Sequence, residues 1–99
     1  MDMEALMAQA AEMQRKVAAA QDELAHTTVK GIADGGACIV EMTGKYDLVK
    51  ITIRDDVAAR GAAATAEIVT AAFNDAKAKA DAAIDRVMGD ATAGMPMPM

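Results

Sequence analysis

The stretch Thr27-Thr28-Val29-Lys30-Gly31-Ile32-Ala33-Asp34-Gly35-Gly36-Ala37-Cys38-Ile39-Val40-Glu41-Met42-Thr43-Gly44-Lys45-Tyr46-Asp47-Leu48-Val49-Lys50-Ile51-Thr52-Ile53-Arg54 decides the fold. Its alternation predicts three short strands, Thr27–Ala33, Ala37–Thr43 and Leu48–Arg54, because period-two patterning marks a sheet with one dry and one wet face. In the third, Val49, Ile51 and Ile53 oppose Lys50, Thr52 and Arg54. In the second, Cys38, Val40 and Met42 oppose Ile39, Glu41 and Thr43. Asp34-Gly35-Gly36 and Gly44-Lys45-Tyr46-Asp47 break the runs, and their glycines supply the positive φ of tight hairpins.

A helical pattern lies on either side. From Asp2 to Ala25 the residues Met3, Leu6, Ala10, Met13, Val17, Ala20 and Leu24 recur at threes and fours, the seam of a helix packed lengthwise on another. From Ala62 to Met88 the same spacing runs through Ala66, Val69, Phe73, Ala76, Ala80, Ala83 and Val87, with Gly89 as the expected C-cap. The fold class is therefore α+β: helix, three-stranded antiparallel meander, long helix. Residues 1–88 form one domain, and 89–99, ending Gly-Met-Pro-Met-Pro-Met, are expected to be a disordered tail.

Of the 99 residues, 25 are alanine and only 16 are Leu, Ile or Val, which leaves a thin core and predicts an obligate oligomer. The net charge of −5 divides as −3 over residues 1–25, +1 over 26–54 and −3 over 55–99, so no basic domain announces nucleic acid. The lone Cys38 suits a reducing compartment and reads as core. An acidic start, Met-Asp-Met-Glu, argues against a signal peptide, and no run approaches the roughly 20 apolar residues of a membrane span. A cytoplasmic protein is expected.

Chemistry-bearing residues are sparse. His26 closes the first helix, where it suits the helix dipole, and no second histidine exists to share a metal. Asp55 and Asp56 stand at a strand end without further ligands and read as turn formers. No phosphate loop precedes a helix and no nucleophile has a nearby base, so neither enzyme activity, metal nor cofactor is expected.

Three motifs resemble the YbaB/EbfC family of bacterial nucleoid-associated proteins. They are Leu6-Met7-Ala8-Gln9-Ala10-Ala11-Glu12-Met13-Gln14; Val29-Lys30-Gly31 followed by Gly35-Gly36-Ala37 and the strand Ile39–Thr43; and Ala71-Ala72-Phe73-Asn74-Asp75-Ala76. Asp55-Asp56 departs from the family's Asp-Pro, and Ala33–Ala37 is less glycine-rich than its usual hairpin. The resemblance implies a homodimer with joined sheets and helices projecting like tweezer arms. It also implies non-catalytic, largely sequence-independent binding of double-stranded DNA in the nucleoid, with no membrane or small-molecule partner. The alternative is an adaptor that grips another protein through Met3, Met7 and Met13.

The expected DNA-binding residues are Arg15, Lys16, Lys77, Lys79 and Arg86. If both helices leave the sheet side by side, Arg15 lies roughly 15 Å out along one arm and Lys77 roughly 22 Å along the other. Arg15, Lys16, Lys77 and Lys79 then share one level, with Arg86 nearer the tip. Competing pairs are Glu12–Lys16, Asp75–Lys79 and Lys77–Asp81, and the fallback site is Lys30, Lys45, Lys50 and Arg54 on the sheet.

Overall fold

The computed structural model describes residues 2–92. Helix α1, Met3–His26, is followed by strands β1, Thr28–Ala33, β2, Cys38–Thr43, and β3, Leu48–Ile53. A one-turn helix α2, Asp55–Ala58, leads to the long helix α3, Ala62–Thr92. The strands pair antiparallel in the order β1-β2-β3, as the alternation predicts. Val40 faces Gly31 on one side and Ile51 on the other, so these three share a face. A register shift pairs Glu41 with Lys50 but Met42 with Leu48, leaving Val49 as the extra residue of a bulge.

Helix α3 lies across β1 and β2. Ala72, Ala76 and Ala80 bury completely against Cys38, Val40 and Met42, and Val29, Ala33, Ile68 and Val69 pack around them. The alanines serve close approach: a Cβ added to Gly31 would stand 2.0 Å from the Ala72 carbonyl oxygen and 2.6 Å from the Ala76 Cβ. Helix and strand backbones touch here, which only glycine opposite alanine allows. The buried stripe thus runs through Ala72 rather than Phe73, and Phe73 is exposed. A second cluster joins Ala20 and Leu24 of α1 to Ala83 and Val87 of α3, and Val29 touches both clusters.

Three local expectations change. Helix α3 continues through Gly89 to Thr92, so Gly89 is interior and caps nothing. Residues from 93 on, which carry most of the expected tail, lie outside the described residues. Asp55 and Asp56 open α2, where first-turn carboxylates suit the helix dipole. At the β2–β3 turn the left-handed residue is Tyr46, φ 66°, not Gly44. Gly44 is small for another reason: a Cβ there would lie 2.8 Å from Leu24, whose carbonyl oxygen accepts from the Gly44 N–H at 3.0 Å.

The radius of gyration is 19.2 Å against about 13 Å for a compact chain of this length, and the extents are 68 × 23 × 17 Å. The elongation comes from α1, whose first half runs past its neighbours. The seam predicted along α1 is buried only at Ala20 and Leu24, while Met3, Leu6 and Met13 are exposed.

Candidate nucleic-acid interface

The expected cations fall into separate groups. Helix α1 runs into the sheet, with Leu24 against Gly44, and α3 runs out of it, so the two lie antiparallel. Lys16, Ala19, Ala20 and Glu23 line one groove with Val87, Asp90 and Ala91. Lys16 is therefore level with Ala91, which is about 14 residues, or roughly 21 Å, along α3 from Lys77. Arg86, next to Val87, lies between them, closer to the sheet than Lys16. The shared level expected of Arg15, Lys16, Lys77 and Lys79 does not form. The reason is that α3 begins beyond the sheet and spends its first turns crossing it before it meets α1.

Facing also differs. Arg15 is nine residues from Leu24, half a turn out of phase, so it points away from the α1–α3 contact. On α3, Lys79 and Arg86 are seven residues apart and share one stripe, whereas Lys77 lies on another. Lys79 is engaged: its Nζ donates to the Lys30 carbonyl oxygen at 2.7 Å and pairs with Asp75 at 3.1 Å. Lys16 stands 4.0 Å from Glu12, both well exposed, a pair of little energetic consequence. Lys77 and Asp81 make no ion pair; Asp81 accepts a hydrogen bond from the Tyr46 hydroxyl. That bond, together with partial burial and the charges of Asp81 and Asp85, raises the Tyr46 pKa. Arg15, Lys77 and Arg86 form no ion pair among the described residues.

On the sheet, Lys30, Glu41 and Lys50 align across the three strands on the face away from α3. Arg54 is occupied instead by Asp56, to which it donates at 2.9 and 3.3 Å. Arg60 ties Asp56 and Asp34 together at 3.6 and 3.0 Å, clipping the β1–β2 turn to α2. His26 Nδ1 lies 2.8 Å from the Asp22 carbonyl oxygen at the end of α1, in keeping with a structural role. Burial raises the Cys38 pKa, so its thiol is held protonated in the core. No group of His, Cys, Asp and Glu among the described residues is placed to hold a metal.

This arrangement of helix, antiparallel meander and long helix has known counterparts. A family model described as the YbaB/EbfC DNA-binding family matches residues 1–95. The chain belongs to the YbaB/EbfC family. A nucleoid-associated protein of Bordetella avium is 41% identical over 93 residues, covering 94% of this chain and 86% of the relative. Another from Xanthomonas campestris pv. campestris is 42% identical, with 94% and 87% covered. An uncharacterized Helicobacter pylori protein of solved structure shares the fold at TM-score 0.78 and 19% identity, over 91% of this chain and 96% of that one. YbaB/EbfC is a DNA-binding family and not an enzyme family. No helix among the described residues is long and apolar enough to cross a membrane.

Sequence reasoning missed the contacts that α3 makes with the sheet edge and the turn. Asp75 and Lys79 were legible as a helical pair, Asp75 also within a family motif and Lys79 also as an expected DNA-binding cation, and Tyr46 only as a turn residue. Their partners lie 35 to 49 residues away in the chain, and no local pattern encodes such a distance.

Proposed function

We propose that this YbaB/EbfC chain acts in the cytoplasm, at the nucleoid, as a homodimer joined through β3, binding double-stranded DNA with little sequence dependence. Family membership carries the DNA. The dimer is supported by β3 itself. Ile51 and Ile53 lie on the same face as Val40 and Cys38, yet α3 stops short of them and they remain 40% and 36% exposed. Leu48 and Val49 are exposed beside them. Phe73 lies on the flank of α3 opposite Asp75, hence on the β3 side, and is also open. A run of large apolar side chains along an unpaired strand edge is what a partner strand covers.

The DNA contacts are assigned to Arg15, Lys16, Lys77, Lys79 and Arg86, duplicated by a two-fold axis. Spread along the arms, they meet phosphates at several levels and carry no geometry for reading base edges. Titration of random-sequence and fixed-sequence duplexes at low salt, followed by anisotropy, tests the reading. Similar affinities that fall steeply with salt are expected; no binding, or one strongly preferred sequence, would refute it.

Exposure of Met3, Leu6, Met7 and Met13 at the tip of α1 supports a second reading, in which the arms grip a protein. Replacing Met3, Met7 and Met13 with Gln separates the two, because DNA affinity should survive it.

A further inference from the structure

We propose that Asp75 and Lys79 close the β1 edge of the sheet against strand addition, so that a second copy of this chain can join only at β3. Both outer strands of a three-stranded sheet present unpaired backbone groups, a template for further strands. On β1, the Ile32 N–H donates to Asp75 Oδ2 at 2.9 Å. The Lys30 carbonyl oxygen, two residues earlier on the same edge, accepts from Lys79 Nζ at 2.7 Å. The two side chains also pair with each other at 3.1 Å. An incoming strand would need those same two backbone groups.

The pair has the right polarity for the task. Carboxylate meets the backbone donor and ammonium meets the backbone acceptor, one helical turn apart on α3, above two edge groups one strand repeat apart. The Ile32 N–H and Lys79 hold the Asp75 carboxyl below the usual carboxylate range, so the acceptor stays ionised. On β3, by contrast, no side chain among the described residues bonds the outer backbone. The asymmetry matters because isologous pairing at β3 alone ends at two chains, whereas two open edges allow open-ended growth. The direction of assembly rests on the β3 reading above; closure of β1 does not.

The test is the exchanged double variant Asp75→Lys/Lys79→Asp, which keeps net charge and a helical ion pair but sets donor against donor and acceptor against acceptor. Amide exchange at Ile32 should become at least about tenfold faster than in the unmodified chain, with helix content retained. Sedimentation should shift, with rising concentration, to species larger than those of the unmodified chain. A folded variant with unchanged sedimentation or unchanged Ile32 exchange would overturn the proposal. Should the exchanged variant unfold, Lys79→Met removes only the donor to the Lys30 carbonyl oxygen; larger species should again form with rising concentration, and a folded Lys79→Met variant with unchanged sedimentation would overturn the proposal. Asp75→Asn retains an acceptor oxygen and should behave as the unmodified chain; assembly there would also count against the edge role. If the unmodified chain sediments as a monomer, the β3 dimer fails, while the comparison between variants still decides β1.

Discussion

The smallest side chains carry the tightest constraints. Gly31 admits no Cβ because the Ala72 carbonyl oxygen and Ala76 occupy its place. Gly31→Ala must push α3 off the sheet and should cost about 3 kcal/mol or more, read as a lowered midpoint in urea. Tyr46, the only tyrosine, makes a second residue-level test possible. It faces Asp81 and Asp85, which raise its pKa. A raised native pKa adds stability in full below the unfolded value of about 10 and loses it as the pH climbs through the native value. The stability difference between the unmodified chain and Tyr46→Phe should therefore vanish under alkaline conditions, while tyrosinate absorbance reports a native titration later than that of the urea-unfolded chain.

Among the elements, α3 does most to shape the molecule. It covers β1 and β2 with alanines, meets α1 with Ala83 and Val87, and runs on to Thr92. Gly89 is an interior helical position whose added Cβ would meet nothing within 4 Å. Gly89→Ala should accordingly raise thermal stability by about 0.5–1 kcal/mol, where a left-handed cap would have been harmed. Strand β3 is the weak element, because α3 leaves it bare. Ile51 is thus not in the core of its own chain, and Ile51→Asp should leave the helices intact. Its carboxylate would instead fall at the proposed interface twice, once per chain. At about 2 kcal/mol for each isoleucine removed, the dimer dissociation constant should rise about 10³-fold, measurable by sedimentation.

At the scale of the whole molecule, an acidic chain that binds a polyanion must keep its cations clear of its own carboxylates. Arg15, Lys77 and Arg86 meet that condition among the described residues; Lys79 is partly consumed by the β1 edge. Changing Arg15, Lys77 and Lys79 together to Gln should weaken binding of all duplexes alike and flatten the dependence of log affinity on log salt, by about 0.9 for each phosphate no longer neutralised. Because Lys79→Gln also disturbs the β1 edge, the assembly state is to be measured in the same variant. Unchanged affinity in a variant that still dimerises would move the DNA-binding surface to Lys30 and Lys50 on the open sheet face and Lys45 in the β2–β3 turn.

Local periodicity by itself determined the three strands, their antiparallel order and the helices on either side, because two- and three-to-four-residue repeats record which side of each element is buried. The motif at Ala71–Ala76 was legible as a family mark, and the expectation of a partner came from how few large apolar residues the chain holds. Only the tertiary structure decided that the buried stripe of α3 passes through Ala72 and leaves Phe73 outside. It also decided that the cations sit at different levels, that Asp75 and Lys79 are spent on the β1 edge, and that Tyr46 is tied to Asp81 of α3. These outcomes depend on where α3 crosses the strands and on which flank of it faces β1, quantities set by packing between segments dozens of residues apart, and such packing leaves no repeat in the sequence.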